Sequence, residues 1–162
     1  MEYTLDTTTK LSSCFISEDY FPAIVQFSAE ELNNRFVEFS YNDTDMFELV
    51  GSSKTGTIKQ FTLTLCTHFM EMDKPLIAPD AEEGAVILNK NDTIQCEQFL
   101  LSIYKDGLHI QLSEKEICKF IKCGQLVFAF DKSDSLVSLY VTGLSTENIF
   151  HVLREVHSIE NV

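Results

Sequence analysis

The stretch QFLLSIYKDGLHIQL, residues 98–112, decides the fold class of this chain. Two β-rich runs, 98–105 and 108–112, flank Asp106-Gly107. Asp-Gly between such runs is the strongest short hairpin signal, because a type I′ turn needs φ > 0 at both central positions. The stretch therefore predicts antiparallel strands joined by a tight turn. On its C-terminal side, 125–130 and 136–143 form a second hairpin pattern around the polar Asp131-Lys132-Ser133-Asp134-Ser135. On its N-terminal side, 36–41, 46–50 and 57–69 read as strands, with 85–88 a short apolar one and 3–11 strand-like. Segment 57–69 sets β-branched Thr among apolar residues, as a strand does.

Three helix starts interrupt this pattern. Ser28 is followed three residues on by Glu31, and Ser113 by Glu116, which is the spacing of a capping box. Ser145 keeps the Ser cap and has Asn148 in the third position. Each start has an apolar residue before the Ser and another four after it, a hydrophobic staple. The second helix is expected to stop at Cys123-Gly124, with Lys119 and Lys122 in its last turn. The third is expected to present Ile149, Phe150, Leu153 and Val156 on one face. The three Ser residues have no common spacing, so they are local signals and not repeats.

Residues 71–84 hold two of the three prolines and an acidic run, and read as an exposed acidic loop. The expectation is one α+β domain over 1–162. It would be a mainly antiparallel sheet, curled or sandwich-like, with about three short helices packed on one side or end. A chain of 162 residues can bury roughly 70% of its unfolded surface, and thirteen Phe supply a core. No apolar run of 18 residues is present, and the first residues lack a basic and apolar leader, so a cytoplasmic location is expected. Five cysteines (14, 66, 96, 118, 123) without a C-x-x-C pair are expected to be reduced.

Charge is the strongest compositional fact. Twelve basic residues against 25 acidic give −13. Such a chain repels nucleic acid and anionic membranes, and it steers in basic macromolecules. The excess is uneven: net −8 over 1–50, +2 over 51–70, −5 over 71–97 and −2 over 98–162.

Motifs for chemistry are sparse. GSSKTGT, residues 51–57, has the composition of a phosphate loop, but Ser53 and Glu48 stand where that loop needs glycines. A strand pattern follows where a helix should, so the stretch reads as a hairpin tip and no cofactor is expected. Cys66 and His68 would share one face of a strand, roughly 6–7 Å apart along it, too far for direct activation of the thiol. A buried thiol beside a partly exposed His is the plainer reading. Cys118, Cys123, His109, His151 and His157 match no zinc spacing, so no metal is expected.

Acids interleaved with aromatics offer a different use. Asp43, Asp45, Phe47 and Glu48 form one such stretch, and Asp19 with Tyr20 another. Asp80, Glu82 and Glu83 add carboxylates on the expected loop. Aromatic anchors flanked by carboxylates suit the plugging of a basic cleft; strand residues facing the core around an Asn42-Asp43 turn are the plain alternative.

In length, charge and acidic-aromatic stretches the chain resembles the immunity proteins of bacterial contact-dependent growth inhibition and polymorphic toxin systems. The resemblance is one of profile and carries no motif. It implies a cytoplasmic non-enzyme, a monomer that forms a 1:1 complex with a basic toxin domain, often a nuclease. Acidic export chaperones, usually dimers with apolar grooves, are the second expectation, although the strand-like opening departs from their usual helix. A small enzyme using Cys66 and His68 is the third.

Overall fold

Alternating apolar residues build two β-sheets, and the computed structural model describes them over residues 1–5, 12–27 and 34–160. The strands are β1 (Glu2–Leu5), β2 (Cys14–Glu18), β3 (Phe21–Gln26), β4 (Arg35–Tyr41), β5 (Asp45–Gly51), β6 (Ile58–Leu65) and β7 (Phe69–Glu71). They continue with β8 (Glu82–Ile87), β9 (Asp92–Gln95), β10 (Leu100–Ile103), β11 (Leu108–Gln111), β12 (Lys119–Cys123), β13 (Leu126–Phe130) and β14 (Leu136–Val141). One helix, α1 (Thr146–Glu160), follows.

One sheet has the order β1-β8-β12-β13-β14-β11-β10-β7, and the other β2-β3-β6-β5-β4-β9. Pairing is antiparallel except β7 on β10, β8 on β12 and β4 on β9. Phe39, Phe47, Leu49, Phe61 and Leu63 of the six-stranded sheet join Leu101, Ile110, Ile121, Phe128, Phe130 and Leu139 of the other in one apolar core. Phe47 meets Phe99 with ring centroids 6.0 Å apart. Each such side chain stabilises the fold by roughly 1.5–3 kcal/mol through burial.

The sandwich is closed along both sides. On one, Leu88 N–H donates to Gly56 O at 2.8 Å and the Arg35 guanidinium to Leu88 O at 2.8 Å. Gly56 has φ +76, and a Cβ there would lie 2.3 Å from Leu88 O, so glycine is required. The segment 51–57 is thus a hairpin tip docked on the facing sheet. On the other side α1 spans the gap. His151 Nε2 lies 2.9 Å from Phe21 O, and His157 Nε2 lies 3.1 Å from Glu71 Oε1.

The expectation of about three short helices is overturned: α1 is the single helix among the described residues. The start at Ser28 lies outside the described residues. Ser113 starts no helix, its Oγ accepting only Lys115 N–H at 3.4 Å. The residues after it become β12, because Ile121 and Cys123 alternate into the core and pair with β13 and β8. Gly124, with φ +54, is therefore not a helix cap. It opens the two-residue turn between Cys123 and Leu126, with positive φ at the first central position as a type II′ turn requires. The third start succeeds: Asn148 N–H donates to Ser145 Oγ and Ser145 N–H to Asn148 Oδ1, both at 3.1 Å. Leu144 and Ile149 form its staple in the core, but Phe150 points outward and is 67% exposed.

Two strand expectations also change. The hairpin at Asp106-Gly107 exists, but its connection runs over four residues, 104–107, and neither Asp106 nor Gly107 has positive φ. Glycine is needed at 107 for space, since a Cβ would lie 2.6 Å from the backbone oxygen of Val141. Segment 57–69 is not one strand. It leaves the six-stranded sheet after Leu65 and enters the eight-stranded sheet at Phe69.

Candidate functional site

The period of a strand places Val37, Phe39, Phe47 and Leu49 inward, so Phe36, Glu38 and Glu48 face out. Glu38 and Glu48 sit directly opposite each other in the β4–β5 ladder. Parallel pairing of β9 on β4 brings Thr93 beside Glu38 on the same face. Phe36, Glu38, Glu48, Asn91, Asp92 and Thr93 line a shallow depression of about 320 Å³. Burial, and then the neighbouring Glu38 charge, raises the Glu48 carboxyl above its ordinary range. Among the described residues no ion pair joins either glutamate to a Lys or Arg. Phe36 remains 42% exposed at the rim. The arrangement can receive an ammonium or guanidinium group, with an apolar stem against Phe36.

The residues singled out in the sequence do not form one surface. Asp43 is exposed in the β4–β5 turn, where Asn42 and Asp43 take φ 49 and 57 and Thr44 N–H donates to Tyr41 O at 3.1 Å. Glu48 belongs to the outer face just described. Asp45 and Phe47 are fully buried and are not available to a partner. Asp19 is exposed and lies 3.6 Å from the Arg154 guanidinium. Tyr20 is 85% exposed with φ 74, its N–H donating to Glu155 Oε2 at 3.2 Å. Asp80 is exposed between β7 and β8. Glu82 and Glu83 are the first residues of β8, and they lie 2.9 and 4.0 Å from Lys119 and Lys122. The acidic loop is consequently shorter than 71–84.

Phe36, Glu38 and Asp92 were not singled out. The alternation of 36–41 carried the signal for Phe36 and Glu38. Nothing local could have placed Asp92 there, because β4 and β9 are far apart in sequence.

Asp45 holds a separate polar centre. It accepts Thr67 N–H at 2.7 Å, His68 N–H at 3.0 Å and Thr44 Oγ1–H at 2.8 Å, and His68 Nδ1 lies 2.6 Å from it. Burial alone would raise its carboxyl, but the hydrogen bonds from His68, Thr67 and Thr44 outweigh burial and hold it below its ordinary range. Cys66 beside it is fully buried. Burial, and then the Asp45 charge, pushes its thiol far up, so it stays protonated. Cys66 donates to His68 O at 3.5 Å, and the His68 Nδ1 is turned to Asp45. The Cys66–His68 pair is therefore not an activated nucleophile.

No group of three or more His, Cys, Asp or Glu among the described residues could hold a metal ion. No helix among them is long and apolar enough to cross a membrane. No protein-family model matches this chain, and no curated protein matches it.

Proposed function

We propose that this protein is a cytoplasmic immunity-type inhibitor that binds a basic toxin domain, a nuclease by preference, one to one. The observation that carries this reading is the opposed Glu38–Glu48 pair, half desolvated beside exposed Phe36. Two like charges directly across strands cost stability, by roughly 0.2–1 kcal/mol. A cation from a partner offsets that cost and gains a charge-assisted hydrogen bond. The net charge of −13 adds long-range steering toward such a partner. Asp92 lines the same depression and is a further exposed group able to extend the contact.

The test is co-expression with basic nuclease toxin domains, any encoded beside this chain first, reading growth and affinity. Wild type is expected to restore growth, and the Glu38→Gln, Glu48→Gln double variant to fail while remaining folded. Equal rescue by the double variant would remove this face from the interface. Absence of any complex would remove the inhibitor reading itself.

A further inference from the structure

We infer that β9 is a docking edge, taking an extended segment of the partner as an added strand with alternating basic and apolar side chains. This rests on the acidic-face reading above and specifies how the partner is held.

β9 is the last strand of the six-stranded sheet. Cys96 N–H donates to Ser40 O at 2.8 Å, so the groups facing β4 belong to every second residue. The backbone N–H and C=O of Gln95 consequently turn away from β4. The Thr93 carbonyl does the same, while Thr93 N–H is taken by Asp92 Oδ1 at 2.9 Å. Asp92, Thr93 and Gln95 are exposed, and no strand among the described residues lies beyond them.

Natural sheets protect such edges with Pro, Lys or a bulge. β9, Asp-Thr-Ile-Gln, is short and opens on a charge, but it carries no Pro, Lys or bulge. The opposite edge of the same sheet is protected: β2 is bulged against β3 between Ile16 and Glu18.

What flanks the edge selects the occupant. On the outer face lies the acidic depression of about 320 Å³ with Glu38, Glu48 and Asp92. On the inner side lies a second cavity, of about 230 Å³, where apolar Phe39, Ile94, Leu112 and Leu136 meet polar Glu97, Lys115 and Asp134. Successive side chains of an added strand point to opposite faces. One set would reach the carboxylates past the small Thr93, and the other the apolar part of the second cavity, at Phe39, Ile94, Leu112 and Leu136. The bases nearby are Lys90, exposed just before the strand, and Lys115, which lies 3.9 Å from Glu97 and 4.0 Å from Asp131. A second copy of this chain is a poor occupant, because pairing two β9 edges would set Asp92, Glu38 and Glu48 against their own duplicates.

The probe is the peptide amide Lys-Val-Lys-Val-Lys-Val-Lys, with two versions N-methylated on either the Lys or the Val amides. Methylation on the edge-facing set removes the main-chain hydrogen bonds and keeps the charge. The parent is expected to bind and to slow exchange of the Gln95 amide. One methylated version is expected to bind about tenfold or more weakly, the other nearly as the parent. Equal binding of all three without protection of Gln95 would overturn strand addition. If the Glu38→Gln, Glu48→Gln variant then lost all three peptides, the acidic face would still stand. No binding of the parent would overturn strand addition too, leaving the acidic face to the co-expression experiment. Protection of Gln95 that rises with protein concentration in the absence of peptide would assign the edge to a second copy and overturn the proposal.

Discussion

The Asp45 carboxylate lies 2.6 Å from His68 Nδ1 and also accepts the main-chain N–H groups of Thr67 and His68. These residues form the link in which the chain passes from β6 in one sheet to β7 in the other. A buried carboxylate thus fixes the crossover. Asp45→Ala would leave two main-chain donors unsatisfied, and a loss of about 3 kcal/mol is expected. His68→Ala should cost less, because the ring is half exposed and its main-chain N–H is retained. Urea unfolding of the two variants checks the order. Equal losses would show that the ring, and not the main chain, carries the contact.

The same carboxylate sets an acid limit on stability. Its folded form titrates below the ordinary 3.8, so the unfolded chain takes up the proton first. The stabilisation is fully present above that ordinary value and is lost as pH falls through the depressed folded value. Denaturation midpoints measured downward from pH 5 should therefore fall less steeply in Asp45→Asn than in wild type.

Residues near one another in sequence made much of the fold legible. The strands around 36–50, the second hairpin and the Ser145 cap all rest on contacts spanning a few residues. The helix expected after Ser113 failed because Ile117, Phe120 and Ile121 fit a helical spacing as well as a strand's. Pairing with β13 and β8, which no local signal contains, decided between them. Asp45 was misread for a similar reason. An aspartate between Thr44 and Met46 looks like surface until the crossover at 66–68 folds over it. The outer face was half legible, since alternation exposes Glu38 and Glu48. Thr93 joins them only through a parallel pairing distant in sequence.

Thiol reactivity should divide the five cysteines by burial. Cys14 and Cys118 are exposed, whereas Cys66 and Cys123 are buried. Burial pushes the Cys96 and Cys123 thiols up to about 11, and that of Cys66 further. A disulfide reagent at pH 8 should therefore titrate two thiols rapidly in the folded protein and the remaining three only on unfolding. A third fast thiol would indicate that Cys96, which is half buried, is reached by opening of the cavity it lines.

Tyr20 combines two features seldom found together, a ring 85% exposed and a backbone at φ 74. The left-handed conformation costs a bulky residue roughly 1–2 kcal/mol, and an exposed ring recovers little of that by burial. Tyr20→Gly relieves the strain but adds freedom to the unfolded chain, so a net gain of about 0.5–1 kcal/mol is expected. The hydrogen bond from the residue 20 N–H to Glu155 survives the change, which isolates the conformational effect. Thermal unfolding decides the matter, and a destabilised variant would mean that the ring supports the hairpin.

Glu48 is where stability and binding should part. Its carboxyl is raised by burial and by Glu38, so the folded chain holds that proton more tightly than the unfolded one. The associated stability is present below the ordinary 4.5 and is lost as pH rises through the elevated folded value. Above that value the Glu48 charge is held against burial and the facing Glu38 charge, and the pair opposes folding. Glu48→Gln keeps the shape and removes the repulsion, so it should stabilise the protein by up to about 1 kcal/mol at pH 7. The gain should disappear by pH 4, where the wild-type carboxyl is largely protonated. The same substitution should weaken capture of a basic partner, because the cation loses half of its counter-charge. Denaturation at the two pH values and titration of the toxin domain measure the two effects separately. A stabilised variant with undiminished affinity would show that the carboxylate pair serves something other than the partner.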